Sequence, residues 1–337
     1  MTHFTERSHN LNDRSIKMKS RQYHQTRRGF LKKSILTGAL FPLVHADLFA
    51  ITTSNSAARL KIHIFSKHLQ FLNYRDMANA VAELGFDGID LTVRPKGHVL
   101  PERVEDDLPK AIDAIRKVGL VSSMMVTAVD DATDPTHKKV LDVAAKLGIR
   151  YYRMNWFSYP EGESMPASIQ TFQQKVKEIS QLNKELGLTG CYQNHAGRLV
   201  GASLWELWQL LKEADKQHMG IQYDIRHAVV EGGTSWQNGL RLIHPHIKTL
   251  AIKDFNWEKK NGKWDIQDTP IGEGMVDFKT YFKLLKQYQI NVPVSLHLEY
   301  PLGGAESGAT QISCDQQVVF KAMKKDLQKV HELWEQA

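Results

Sequence analysis

The chain has 337 residues, of which 42% are hydrophobic and 24% are charged, so it has an ordinary globular composition and ample length for a core. Its net charge of +7 is concentrated at the N-terminus, where positions 1–50 hold nine of the 44 basic residues and three of the 37 acidic ones. The nearly neutral remainder lacks the net positive charge typical of a nucleic-acid-binding domain, so we expect no nucleic-acid partner. Two cysteines without a paired-cysteine motif argue against a cysteine-built zinc site and leave open whether Cys191 and Cys314 pair.

The N-terminal segment has the pattern of an export signal. Residues 26–32, Thr-Arg-Arg-Gly-Phe-Leu-Lys, resemble the twin-arginine motif, and Val44-His45-Ala46 offers a small-residue cleavage site. The apolar run between them, residues 34–44, is shorter than the roughly 20 residues of a membrane span. We therefore expect residues 1–58 to be a twin-arginine-type signal peptide and linker, with transient contact to the export machinery, no stable membrane span and a periplasmic or otherwise exported protein. The alternative is a disordered basic tail.

From residue 59 onward, helical patterns alternate with short apolar strands. Five helical patterns end at a glycine directly before a strand, and glycine readily adopts the left-handed conformation of a helix C-cap. The spacing of 29 to 39 residues between these glycines matches one strand-helix unit, and alternating units predict a parallel sheet. The five glycines are Gly85, Gly119, Gly148, Gly187 and Gly220.

Eight predicted strands of this kind fit within about 250 residues, which is the size of a closed (β/α)8 barrel. An open doubly wound sheet would place a glycine-rich phosphate turn after the first strand, and the turn at residues 66–70, Ser-Lys-His-Leu-Gln, contains no glycine. We therefore predict a single-domain α/β protein, a closed TIM barrel over residues 59–337. The predicted strands cover residues 61–65, 86–91, 120–126, 149–155, 188–193, 221–224, 246–253 and 292–299.

In such barrels the active site forms at the mouth, the end where the carboxyl ends of the strands lie. Because side chains alternate along a strand, Val294, Leu296 and Leu298 of strand eight are predicted to face the helices, and the residues between them the barrel axis. The same alternation aims polar groups of strands five to eight at one mouth. These inward residues are Gln193, His195, Asp224, Lys253, Ser295, His297 and Glu299, and His227 follows strand six on the emerging loop.

Other polar and aromatic side chains near the strand ends are candidates for binding the substrate. Aromatic rings stack on sugar faces, although hydrophobic packing is the alternative for each ring alone. The predicted substrate-binding residues are Lys67, His68, Arg94, Asn155, Trp156, His195, Trp257 and His297.

The strand order, the Asp-x-x-His pattern at Asp224–His227 and Glu299 of strand eight together resemble the xylose-isomerase-like barrels. The stretches at residues 65–70 and 223–228 are similar to a branch described as sugar phosphate isomerase/epimerase-like. The resemblance covers residues 59–335. It implies an enzyme acting on a small-molecule carbohydrate, since the superfamily contains sugar isomerases, epimerases, dehydratases and endonucleases.

The resemblance also implies a divalent metal, Mn, Mg or Zn. Epimerases of this type bind the metal through a glutamate, an aspartate, a histidine and a glutamate on strands five to eight. The corresponding residues here are Gln193, Asp224, Ala251 and Glu299, so two positions match and two depart. The predicted metal ligands are therefore Gln193, Asp224 and Glu299, and His227 matches the histidine of the strand-six motif.

The expected chemistry is removal of a proton next to a carbonyl group. Since Gln193 cannot transfer protons, a symmetric two-base epimerisation is in doubt, and Glu299, Lys253 and His227 are the predicted catalytic residues. Lys253 would stabilise the negative charge on the substrate oxygen, or alternatively would only pair with Asp224 or Glu299. Elimination from a keto-glycoside, a non-catalytic sugar-binding protein and a phosphodiester hydrolase remain alternative functions.

Overall fold

A computed structural model describes residues 59–337, and the predicted signal peptide and linker lie outside this range. Eight parallel strands form a closed barrel, in which the first barrel strand in the chain pairs with the last. This confirms the predicted TIM barrel. The ten strands of the described residues are β1 (Ile62–Phe65), β2 (Gly88–Val93), β3 (Val121–Thr127), β4 (Tyr151–Arg153), β5 (Thr189–Gln193), β6 (Met219–Asp224), β7 (Ile247–Ile252), β8 (Asp254–Lys260), β9 (Lys263–Thr269) and β10 (Val294–Leu296).

Helices cover the outside of the barrel and start at residues suited to capping. The side chain of Asn73 accepts the Asp76 N–H at the start of the first helix, and Ser203 forms a capping box with Glu206 at the start of the fifth. No helix between residues 59 and 337 is both long and apolar enough to cross a membrane. The helices are α1 (Tyr74–Leu84), α2 (Val104–Lys117), α3 (Pro135–Lys146), α4 (Met165–Leu186), α5 (Leu204–Leu210), α6 (Ile225–Gly232), α7 (Trp236–Ile243), α8 (Phe278–Gln287) and α9 (Gln316–Glu335).

Four of the five predicted glycine caps have the expected left-handed backbone, for example Gly85 with a φ of 89° after α1. The prediction for Gly220 was wrong, because this residue lies inside β6 and follows no helix directly. A Cβ atom at Gly220 would collide with the carbonyl oxygen of His246. Close approach of the neighbouring chain, rather than helix termination, therefore accounts for this glycine.

The main core lies between the strands and the surrounding helices. Leu250, Ile252, Val294, Leu296 and Leu298 are fully buried there, as the alternation predicted. The inside of the barrel is polar by contrast. Its buried polar side chains include His63, Asp90, Gln222, Thr249 and Ser295.

An antiparallel hairpin, β8–β9, follows β7 and was not predicted. Asp254 anchors it, because this fully buried carboxylate accepts four backbone N–H groups. The donors are Phe255 and Val276 on Oδ1, at 2.9 and 3.2 Å, and Gly272 and Gly274 on Oδ2, both at 2.9 Å. The hairpin and the loop that follows it are thereby held to the carboxyl end of β7.

We expect Asp254→Ala to lower the free energy of unfolding by about 2–4 kcal/mol, since it leaves several backbone N–H groups without an acceptor. Urea denaturation followed by circular dichroism measures this change. Asp277→Ala is the matched control, because Asp277 accepts only the Thr280 N–H, and loss of one cap is typically worth about 1 kcal/mol. Equal losses in the two variants would contradict the anchoring role of Asp254.

Candidate active site

Lys253 directly follows β7 and lies at the centre of a group of polar side chains in the mouth. Its Nζ atom is 3.3 Å from Asp224 Oδ2, 3.3 Å from Glu299 Oε2 and 3.0 Å from His227 Nε2. We call these four residues the Lys253 cluster. Asp224 and His227 are almost completely buried, as is Lys253, whereas the Glu299 side chain keeps 24% of its surface exposed. Glu299 is therefore the carboxylate of the cluster that a ligand can reach.

Two lysines hold Glu299 in its ionised form. Lys67 Nζ lies 3.0 Å from Oε1, on the side opposite Lys253. Burial opposes ionisation, but Lys253 and then His297 and Lys67 outweigh it and hold the pKa of Glu299 well below its ordinary value. Glu299 is thus a fixed carboxylate between two ammonium groups.

The hydrogen bonds of Gln193 fix the orientation of its amide. Oε1 accepts from Arg153 Nη1 at 3.2 Å, and Nε2 donates to Asp224 Oδ2 at 2.7 Å. Because arginine only donates and an ionised carboxylate only accepts, the reverse orientation would leave both contacts repulsive. Gln193 therefore presents N–H groups, and not an oxygen, to Asp224 and the Lys253 cluster.

Two histidines in contact line the strand-five side of the mouth, with 3.9 Å between the ring centres of His195 and His227 and an angle of 35° between the ring planes. His195 Nδ1 lies 3.1 Å from the Ala196 carbonyl oxygen, which can only accept, so this nitrogen carries the proton. Burial and the positive charge of Lys253 lower the pKa of His195 to about 4. The ring is therefore neutral near pH 7, and its Nε2 atom has a free lone pair.

The family model described as "Xylose isomerase-like TIM barrel" matches residues 78–313. The chain belongs to this family. No curated protein sequence matches the chain.

Solved structures of similar fold include two sugar epimerases and a probable dehydratase. D-psicose 3-epimerase from Clostridium cellulolyticum H10 superposes with a TM-score of 0.63 at 13% identity, covering 82% of this chain and 99% of that one. The 3-keto-D-glucoside 4-epimerase of E. coli gives 0.58 at 15% identity, with 78% and 97% covered. A probable 3-DHS dehydratase from Bacillus anthracis gives 0.57 at 15% identity, with 79% and 98% covered. At these identities the likeness concerns the fold.

The predicted metal site does not fit the arrangement of the donors in this xylose isomerase-like barrel. Gln193 turns its amide N–H group inward, Ala251 has no donor atom, and Lys253 Nζ lies between the carboxylates of Asp224 and Glu299. Between residues 59 and 337, no three acidic, histidine or cysteine side chains are grouped to hold a metal ion. A divalent cation there would lie beside a positive charge, with two of the four family ligands missing.

The predicted substrate-binding residues divide into those that face the mouth and those held elsewhere. His68 was predicted to bind substrate, but its Nδ1 lies 3.2 Å from the Ala305 carbonyl oxygen and its Nε2 accepts the Leu298 N–H at 3.0 Å. Both nitrogens of His68 are therefore used in positioning the chain around Glu299. Trp257 lies on the hairpin, 40% exposed, and packs edge-to-face on Phe255 rather than on the Lys253 cluster.

Three other predicted residues line the mouth. The His297 ring stacks on Phe65 with 4.3 Å between ring centres, and its Nδ1 is 3.8 Å from Glu299 Oε1. Trp156 donates its indole N–H to the Gln193 carbonyl oxygen at 2.9 Å. Asn155 donates to Asp130 at 3.0 Å.

Sequence reasoning missed four charged residues at the mouth. Arg153 ends β4 and bonds Gln193, and Asp90 of β2 accepts the hydroxyl of Ser295 at 2.7 Å. Arg226 of α6 donates to Asp268 of β9 at 2.7 Å. Side-chain alternation applied to strands two and four would have found Asp90 and Arg153. Asp268 depends on the hairpin and had no sequence signal.

We expect the protein to bind no divalent metal at the Lys253 cluster, because an ammonium group already lies between the carboxylates. When wild-type protein is added to Mn²⁺, the electron paramagnetic resonance signal of the free ion should not decrease. Treatment of the protein with a chelator should leave its melting temperature unchanged. The triple variant Gln193→Glu/Ala251→His/Lys253→Ala restores the donors of the family and should bind Mn²⁺. Stoichiometric Mn²⁺ binding by the wild type that is lost in Glu299→Gln would contradict this assignment.

Proposed function

We propose that the chain is an enzyme that removes a proton from the carbon next to a carbonyl group of a carbohydrate, leading to isomerisation or epimerisation. The observation that carries this proposal is the position of Lys253, whose ammonium lies 3.3 Å from the exposed carboxylate Glu299. A base and a fixed positive charge side by side are what enolate formation requires. The solved epimerases of similar fold support the substrate class.

Glu299 is the proposed base. Its carboxylate is ionised, faces the accessible part of the mouth and is held from both sides by Lys67 and Lys253. As the proton leaves the substrate carbon, negative charge develops on the carbonyl oxygen. Lys253 supplies a preorganised positive charge at that point, in a site where burial strengthens the interaction. Because the pKa of Glu299 is low, this carboxylate is a weak base, and proton removal by it depends on the charge of Lys253.

His195 is the proposed second proton-transfer group. The free Nε2 atom of its neutral ring can accept or return a proton, whereas Gln193 two residues earlier cannot. In the barrel order, β5 and β10 are separated by β7 and β6, so His195 and Glu299 reach the mouth from different sides. Proton removal by one group and return by the other would complete an isomerisation or epimerisation.

Elimination is a second candidate reaction for the same site. The enolate that Lys253 stabilises can also expel a leaving group from the adjacent carbon, and a probable dehydratase is among the solved structures of similar fold. A non-catalytic sugar-binding protein would have no use for a buried cluster of ions, which is costly to desolvate. The twin-arginine pattern at residues 26–32 supports action outside the cytoplasm.

We expect Lys253→Met to slow proton exchange at the carbon next to the carbonyl by about 10²–10³-fold while leaving substrate affinity within a few-fold, because the charge acts on the transition state. Proton NMR in D₂O with a panel of ketoses and 3-keto-glycosides measures the exchange. Glu299→Gln should abolish exchange by removing the base. Lys248→Met, near the start of β7, is the matched control. If Lys253→Met exchanges protons at the wild-type rate but unfolds more readily, Lys253 is structural.

We expect Lys67→Met to move the acidic limb of the kcat/KM profile to higher pH. The base form of Glu299 is needed, Lys67 lowers the pKa of that carboxyl, and removal of the positive charge must raise this pKa. Rates measured against pH on a substrate from the exchange panel test this shift. Lys61→Met, an exposed lysine just before β1, is the control and should leave the limb in place. An unchanged or lower limb in Lys67→Met would remove Glu299 from the role of base.

A further inference from the structure

The charged groups of the mouth do not all pair with one another. Near pH 7 the histidines there are neutral, since burial lowers the pKa values of His195, His227 and His297. Five cationic side chains lie there beside four acidic ones, and only three of the five cations form ion pairs among the residues that the structure describes. The cations are Lys67, Arg94, Arg153, Arg226 and Lys253, and the carboxylates are Asp90, Asp224, Asp268 and Glu299.

The ion pairs show which cations are left without a partner. Lys67 and Lys253 both pair with Glu299, and Lys253 also pairs with Asp224. Arg226 pairs with Asp268. In the described part of the chain, no carboxylate oxygen lies within 4.0 Å of a nitrogen of Arg94 or Arg153. These two guanidinium groups are therefore the cations of the mouth that have no carboxylate partner among the described residues.

Arg153 is the more unusual of the two, because only 5% of its surface is exposed. Its guanidinium lies 4.0 Å from the centre of the Trp156 ring and donates to the neutral oxygen of Gln193, while its buried Nε atom has no hydrogen-bond partner within residues 59–337. Arg94 likewise has an aromatic neighbour, with its guanidinium carbon 5.6 Å from the centre of the Phe65 ring. A buried charge without a counter-ion is costly, and a ligand can supply the counter-ion.

Asp90 lies near both arginines but does not satisfy them. Its Oδ2 atom accepts from Ser295, and its buried Oδ1 atom has no partner among the described residues. Burial raises the pKa of Asp90 to about 6, with Arg153 and Arg94 acting in the opposite direction, so this carboxylate is ionised near pH 7 and is already counted.

The barrel topology brings the two arginines to the mouth from the side opposite Lys253. In the order β1-β10-β7-β6-β5-β4-β3-β2, the strand opposite β7 is β3, and β2 and β4 flank β3. Arg94 follows β2 and Arg153 ends β4, so they lie across the mouth from Lys253. One end of a bound molecule can thus contact Lys253 while the other end contacts the arginines.

We propose that the substrate is an acidic carbohydrate, a sugar carrying a carboxylate group that Arg94 and Arg153 bind across the mouth from Lys253. A carboxylate fits better than a phosphate, because Asp90 already lies near both arginines and would repel the second negative charge of a phosphate. The carboxylate end does not react. This assignment rests on the proposed function only for the chemistry at the carbonyl end.

Calorimetric binding of matched sugars tests the assignment. D-glucuronate and D-galacturonate are compared with D-glucose, D-galactose and the 6-phosphates of both sugars. We expect at least one uronate to bind the wild type tenfold or more tightly than its neutral and phosphorylated counterparts. Arg94→Gln and Arg153→Gln should each weaken uronate binding by about tenfold to a hundredfold, the effect of losing one charged hydrogen bond.

Arg150→Gln is the matched control, since Arg150 is exposed just before β4 and should leave uronate binding unchanged. Because Arg153 is buried, Arg153→Lys keeps a positive charge if Arg153→Gln does not fold, and it should weaken uronate binding less than Arg94→Gln does. Preference for the neutral sugar or the 6-phosphate, absence of uronate binding, or uronate binding that survives the Arg94 and Arg153 substitutions would each overturn the proposal.

Proton exchange on the same panel separates this inference from the proposed function. If neutral sugars exchange the proton next to the carbonyl and uronates have no advantage, the acidic substrate is wrong and the enzyme assignment stands. If uronates bind through the two arginines but no sugar on the panel exchanges the proton next to its carbonyl group, the proton-transfer function is wrong and the binding assignment stands.

Discussion

The contact of one ammonium group with two carboxylates organises the mouth of this barrel. At 3.3 Å, each Lys253–carboxylate pair is worth on the order of 5 kcal/mol at an effective dielectric constant of about 20, before the cost of removing the charges from water. The ammonium joins β7 to β6 through Asp224 and to the end of β10 through Glu299. Asp224 in turn fixes the Gln193 amide and the first turn of α6. The positions of the surrounding polar groups therefore depend on this single positive charge.

The hydrogen bonds of the histidines around Lys253 determine which ring nitrogens remain available. His68 uses both ring nitrogens to hold the backbone at Leu298 and Ala305, so neither nitrogen is left over for another contact. His195 uses only Nδ1, which donates to the carbonyl oxygen of the neighbouring Ala196, and its Nε2 atom stays free. The two histidines thus have different roles, because backbone groups surround the His68 ring whereas the His195 ring faces the mouth.

Much of the architecture could be predicted from local patterns. The alternation of apolar residues and the glycine caps gave the eight strands, and the period of two placed Lys253, Asp224 and Glu299 at one mouth. The contacts between them could not be predicted, since they depend on side-chain reach across strands. Nothing local indicates that Gln193 turns its N–H group inward, which follows from Arg153 forty residues earlier. The hairpin was not predicted because its exposed strands lack an apolar periodicity. Gly220 was mistaken for a helix cap because the contact that requires a glycine there comes from His246, which is distant in the sequence.

A positive charge that belongs to a side chain is supplied with the polypeptide and cannot dissociate. Metal sites of nitrogen and oxygen donors bind copper and zinc more tightly than manganese or magnesium, so enzymes that rely on the latter are open to replacement by the wrong ion. An ammonium between Asp224 and Glu299 has no competitor of this kind. In the proposed function, Lys253 would supply the positive charge that a metal ion could otherwise provide, so the reaction would not depend on the metal content of the surroundings.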